Sequence, residues 1–132
     1  MITLNDARRI LAAAQAEAER LGQPVNIAVV DAGAHLVAQI RMDGARIGAI
    51  QIAIDKAFTA RAFDMSTAAL AEHSQPGGAF FGIHSSNGGR VMIFAGGLPL
   101  HRDAIVVGAI GVSGGSGEQD EAIARAGVEA FC

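Results

Sequence analysis

Lysine occurs once in these 132 residues, at Lys56, and its helical neighbours are apolar. At 100° per residue, Ala49, Ile52, Ala53, Ala60 and Phe63 fall within about 60° of it. The opposite side, Ile47, Ile50, Ile54 and Phe58, is bulkier and reads as the core seam, leaving Gln51, Asp55 and Thr59 as a narrow polar strip. A helix apolar on both sides is sandwiched between two layers. Burying an unpaired ammonium is costly, so Lys56 has two explanations. It snorkels to water or pairs with Asp31 or Asp43, or it faces a ligand, as an anion-holding cation or an amine tuned for acid-base work.

The run Arg41-Met42-Asp43-Gly44-Ala45 sets opposite charges two residues apart on one strand face, and Asp31 ends the neighbouring strand. Asp31, Arg41, Asp43 and Lys56 are therefore expected to form one ionic cluster. Such a cluster either ties strand ends together or does chemistry, with Lys56 and Arg41 holding a carboxylate and Asp31 or Asp43 moving a proton. The segment Gly108-Ala-Ile-Gly-Val-Ser-Gly-Gly-Ser-Gly117 runs from a strand into a helix. Ser113, Gly114 and Gly115 are thus candidates for close backbone approach to an anion. It is no P-loop, because the Gly-Lys-Ser/Thr ending is missing and Glu118, Asp120 and Glu121 would repel a polyphosphate. A single carboxylate remains compatible; the competing reading is a tight turn whose acids complement the helix dipole.

His35, His73, His84 and His101 show no chelating spacing, so no metal site is expected. His84, beside Phe80 and Phe81 on a glycine-rich loop, is the best candidate for an axial ligand to a flat apolar cofactor; a plain exposed loop histidine is the alternative. Cys132 is the sole cysteine, which rules out an intramolecular disulfide and a zinc-cysteine site.

These groups need a scaffold, and the chain punctuates one clearly. Thr3 with Asp6 caps a helix with apolar positions at Leu4, Ala7, Ile10, Leu11, Ala14 and Ala18, ended by Gly22 and Pro24. Strands follow over Val25–Asp31 and His35–Asp43, joined by a turn at 31–34. Ile47–Phe63 is the central helix, and Ser66 caps a short one over Thr67–His73. Residues 74–89, rich in glycine, form a long loop with one helical turn near Phe80–His84; loops of this length are usually functional or mobile. A strand over Val91–Ala95, a turn at Gly96-Gly97 and a strand over Ala104–Ser113 lead to Ser116 and Gln119, a capping box for a last helix over Glu118–Phe131. The order α-β-β-α-α-loop-β-β-β-α describes an α+β fold, one domain over 1–132, with helices packed on an antiparallel sheet.

Composition narrows the partners. Half the residues are hydrophobic (51%) and 17% charged, which excludes disorder. So apolar a small chain is expected to bury surface in a homo-oligomer. A net charge of -3 with scattered cations argues against nucleic acid. No run reaches membrane-spanning length, and the start MITLNDARRI lacks the marks of a secretory signal. A cytoplasmic protein is the expectation.

Four segments carry a family resemblance: Asn26-IAVVDAGAHLVAQIRMDGA-Arg46, Asp55-KAFTARAFDMST-Ala68, Ala95-GGLPLHRD-Ala104 and Val107-GAIGVSGGSGEQDEAIARAG-Val128. Together their motifs (VVD, RMDGA, KA-TA, GGLP, GAIGVSG, QDE) resemble the GlcG/HbpS family, which includes the C-terminal domain of PduO-type proteins. The resemblance implies a five-stranded antiparallel sheet with flanking helices, in dimer-based homo-oligomers such as tetramers or octamers. It implies a ligand-binding protein, with haem or another tetrapyrrole as first ligand class and haem degradation among members' described activities. Other members sit in catabolic operons, and a few relatives are described as acting on small carboxylates, which keeps an enzyme of that kind as the alternative. A third reading is a structural or assembly subunit. The matched motifs hold Asp31, Arg41, Asp43, Lys56, Ser113 and Asp120, a set that suits a small anion as well as haem.

Overall fold

The computed structural model describes all 132 residues. Thr3 opens the first helix, α1 (Leu4–Leu21), with a reciprocal capping box: its hydroxyl accepts from the Asp6 amide while the Asp6 carboxylate accepts from its own. Gly22, in the left-handed region at φ 68°, ends the helix at little steric cost. Strands β1 (Asn26–Asp31) and β2 (Leu36–Arg41) form a hairpin. At its turn one Asp31 carboxylate oxygen accepts from the amides of Gly33 and His35. Helices α2 (Ala49–Phe63) and α3 (Thr67–Ser74) follow, then a connection carrying two short 3-10 turns, Ile83–Ser85 and Asn87–Gly89. Strands β3 (Gly97–Arg102) and β4 (Ile105–Ser113) make a second hairpin, and α4 (Gly117–Phe131) closes the chain behind the Ser116–Gln119 capping box.

The sheet is antiparallel, in the order β2-β1-β4-β3, and has four strands rather than the expected five. The missing strand is Val91–Ala95. Its β-branched, apolar residues read as a strand, but its polar backbone is occupied by a helix: the Met92 amide donates to the Thr59 hydroxyl of α2 at 2.9 Å. Val91 is buried there without joining the ladder. Sheet-like pairing begins at Gly96, whose carbonyl accepts from the Val112 amide.

The two faces of the sheet are built differently. Ile27, Val29, Leu98, Leu100, Ile110 and Val112 pack under α1 and α4 in the main core. On the other face Val30 and Ala109 meet Ala57 and Ala60 of α2. A Cβ added to Gly111 would strike the Ala53 carbonyl, and one on Gly97 would strike the Lys56 carbonyl, so the backbone of α2 rests directly on the strands. Only small residues fit at that distance. Ala49, Ala53, Ala57 and Ala60 form the buried stripe, with Asp55, Lys56 and Thr59 buried beside it.

This reverses the expected orientation of the helix. Ile50, Ile54 and Phe58 are only partly buried, and Ile47 is 76% exposed. The supposed core seam faces outward, and two members of the supposed polar strip, Asp55 and Thr59, are inside. Bulk marks the core side of a helix when it packs on side chains; against a glycine-bearing sheet, closeness of approach selects alanine instead.

Candidate functional site

Lys56 is fully buried. Its ammonium donates to the Val112 carbonyl at 2.8 Å and to Oδ2 of Asp120 at 3.1 Å. The other Asp120 oxygen accepts from the Gly115 amide at 2.9 Å, so one carboxylate ties the lysine to the turn that follows β4. The Phe94 ring lies 4.8 Å from the Nζ atom, within cation–π range. Burial pushes the lysine pKa below its ordinary 10.5, and the charge and hydrogen bond of Asp120 partly restore it. Close fit protects the pair: a Cβ on Gly96, where φ is +128°, would sit 2.8 Å from Nζ.

The expected partners of Lys56 were Asp31 and Asp43; the structure supplies Asp120 instead. Lys56 reaches Val112, which pairs with Ile27 near the start of β1. Asp31 ends that strand four residues on, about 13 Å away at 3.3 Å per residue, and is engaged in its own turn and with His35 at 3.7 Å. Asp43 is exposed on the turn after β2 and enters no ion pair. Arg41 comes nearer. In the ladder Asn26 pairs with Arg41 on one side and Ser113 on the other, and directly opposed residues share a face. Arg41, Asn26 and Ser113 therefore make a row across the sheet on the α2 side, with Arg41 exposed on the edge strand. The four expected cluster residues do not assemble.

A cleft stands at this end of the sheet. Gln23 and Pro24, the Gly44–Arg46 turn and the Gly114–Ser116 turn enclose about 460 Å³. An adjoining space of about 350 Å³ shares Arg46, Gly114 and Gly115, and continues past Ser113 and Asp120 to Ala49, Ile52 and Phe94. Three expected ligand residues, Ser113, Gly114 and Gly115, line it. Around the glycine turn three amides are spent internally: Gly115 donates to Asp120, Ser116 to the Gln119 side chain, and Gln119 to the Ser116 hydroxyl, so Gly115 and Ser116 offer no free amide to an anion.

The free cation of the cleft is one the sequence reading passed over, Arg46. Its carbonyl accepts from the Asn26 side-chain amide at 3.1 Å, which anchors its backbone. Its guanidinium takes part in none of the ion pairs. Asn26 itself is fully buried, and its Oδ1 has no partner. Turning the amide over would set oxygen against the Arg46 carbonyl oxygen, so the orientation is fixed by that one bond. Asp120 also had a legible signal: it lies on the same helical stripe as Ile123, Ala124, Gly127 and Phe131, all buried. An acid on the apolar stripe of one helix is the natural complement of a lysine on the apolar face of another.

His84 is exposed in the 3-10 turn, its ring 5.8 Å from Phe81 and edge-on to it; His73 stands 5.9 Å from Phe80 in a similar arrangement. Phe80 is 49% and Phe81 58% exposed. No three His, Cys, Asp or Glu side chains converge as metal ligands. No helix is long and apolar enough to cross a membrane.

Comparison with known proteins matches residues 2–129 to the family described as haem degrading protein HbpS-like. The chain is 37% identical over 130 residues to a 15.0 kDa protein from the dhaT-dhaS intergenic region of Citrobacter freundii, covering 98% of this chain and 92% of that one. It is equally similar, at 37%, to the corrinoid adenosyltransferase PduO of Salmonella typhimurium, of which it spans 39%. The crystal structure of a PduOC–haem complex superposes with a TM-score of 0.93 at 38% identity, over 97% of this chain and 93% of that one. The chain belongs to the HbpS-like family.

Proposed function

We propose that this HbpS-like chain is a small-molecule-binding protein whose first ligand class is haem or a related tetrapyrrole, received on the 73–84 segment. The observation that carries this reading is the pairing there of two exposed phenyl rings with two imidazoles, Phe80 with His73 and Phe81 with His84. A porphyrin needs a flat apolar platform, and its iron needs an imidazole, thiolate, thioether or phenolate ligand. The strand-end cleft supplies none of these ligands, whereas the loop brings exposed phenyl rings and imidazoles together. His84 would hold the iron, with His73 as the alternative; Phe80 and Phe81 would cover the ring. The relative solved with haem lends the ligand class its support.

A second copy of the chain belongs to the same reading. Ile47 leads into the half-buried Ile50, Ile54 and Phe58 as one apolar stripe on α2, of a kind that a two-fold interface can pair with itself.

Titration with haemin tests the proposal. Wild type is expected to give a saturable Soret shift, His84→Ala to lose most of it, and scattering to report a mass above the 13.5 kDa of one chain. Absence of saturable binding, or a Soret band unchanged in both His84→Ala and His73→Ala, would overturn it.

A second reading, binding of a small anion in the strand-end cleft, is favoured by the unpaired Arg46 on its lining. Acid-base chemistry by Lys56 with Asp31 or Asp43 lacks that support, because those groups stand apart.

A further inference from the structure

We propose that the strand-end cleft binds a small organic acid with a flat or branched apolar body, its carboxylate held by Arg46 and its body lying against Ile52 and Phe94. The inference deepens the small-anion reading and shares no residue with the 73–84 segment.

Charge decides the sign of the ligand. Arg46 lines both compartments and has no acidic partner. The one carboxylate on the lining, Asp120, is neutralised by Lys56 at 3.1 Å and donates no free charge to the cavity. The larger compartment contains no acid at all. Glu118, on the first turn of α4, and Asp43 lie outside the lining. Helix α2 also begins at this cleft, at Gly48 and Ala49, without a side-chain cap and without an acid in its first turn, so its positive end adds to the field of Arg46. An anion entering here meets one exposed guanidinium whose backbone is pinned, and it displaces no internal ion pair to do so.

The walls decide the shape. Gly44, Gly114 and Gly115 leave the polar compartment unobstructed, while Ala49, Ile52 and the half-exposed Phe94 give the adjoining compartment an apolar wall. A cation and a phenyl ring on one lining fit an acid with a body of roughly ring size. In this arrangement Lys56 touches no ligand. It is a positioning residue: through Asp120 it fixes the Gly115 amide, and with it the wall of the cleft.

Benzoate and its neutral isostere benzamide are suitable probes, read by amide resonances of the intact chain. Benzoate is expected to shift Ala49, Gly114 and Gly115 saturably, with benzamide at least tenfold weaker. Arg46→Gln should weaken benzoate at least tenfold and Arg46→Lys less, while Arg8→Gln, a surface charge on α1, should leave binding unchanged. Equal affinity for benzamide, undiminished binding by Arg46→Gln, or no saturable shift with benzoate would each overturn the proposal. Haemin binding with no benzoate binding would remove this inference and spare the tetrapyrrole reading; the converse would do the opposite.

Discussion

The two faces of the sheet solve the same problem with opposite materials. Under α1 and α4, large aliphatic side chains interlock, and the distance between layers is set by their volume. Under α2, glycines of the strands meet alanines of the helix, and backbone nearly touches backbone. The first face is stabilised chiefly by apolar area removed from water. The second has little such area to offer, and it is there that the buried polar groups Asp55, Lys56 and Thr59 are found. Close approach explains the coincidence. With the helix backbone on the strands, a long side chain at position 56 has no room beneath it and must run along the sheet to its end, where Val112 and Asp120 receive it. The tight face therefore depends on directional bonds, and the loose face on volume.

The largest effect should come from breaking those bonds. Lys56→Ala leaves Asp120 buried without a counter-charge and is expected to cost about 3–5 kcal/mol, measured by urea unfolding. Lys56→Met with Asp120→Leu should recover only part of this, since the Gly115 amide stays without its acceptor. A loss under about 1 kcal/mol for Lys56→Ala would mean that the pair is solvated rather than dry. Smaller effects should separate the faces through two adjacent residues. Adding one methyl group on the tight side, Gly111→Ala, should cost about 1–3 kcal/mol by overpacking. Removing one on the loose side, Ile110→Val, should cost about 0.5–1.5 kcal/mol. The comparison fails if Gly111→Ala proves the milder change.

The smallest effect lies in alkaline pH. Because the folded-state pKa of Lys56 is lowered, the penalty of a buried ammonium is present at neutral pH. As pH rises from the lowered value towards 10.5, the folded protein releases this proton first, the unfolded chain then holds more protons, and stability rises. The chain has no tyrosine to obscure this window. Lys56→Met should flatten the rise in denaturation midpoints; an identical slope in both proteins would contradict the assignment.

Local signals were legible where the physics is local. Both capping boxes, the Gly22 stop and the 31–34 turn depend on neighbours within a few residues, and each is present. That Lys56 lies on an apolar helix face, where it must pair, snorkel or meet a ligand, followed from the wheel. Its partner did not, because Asp120 is 64 residues distant and only the meeting of two helix stripes over the end of β4 brings them together. The fifth strand failed for a related reason: Val91–Ala95 has the propensity of a strand, but Thr59 claims its backbone. The orientation of α2 was misjudged because a wheel ranks residues by size without knowing that Gly97 and Gly111 lie opposite. Arg46 went unnoticed as the last residue of a matched segment; nothing nearby in sequence marks it as the unpaired cation of a cavity.

A solitary lysine inside a tight joint is also a built-in reporter. Protein grown with lysine labelled at the ε position would give a single side-chain resonance, free of overlap. Its frequency would register the ring current of Phe94, its exchange rate the opening of the joint, and its titration the protonation state. Any occupant of the neighbouring cleft that nudged Gly115 or Phe94 would announce itself in that one line.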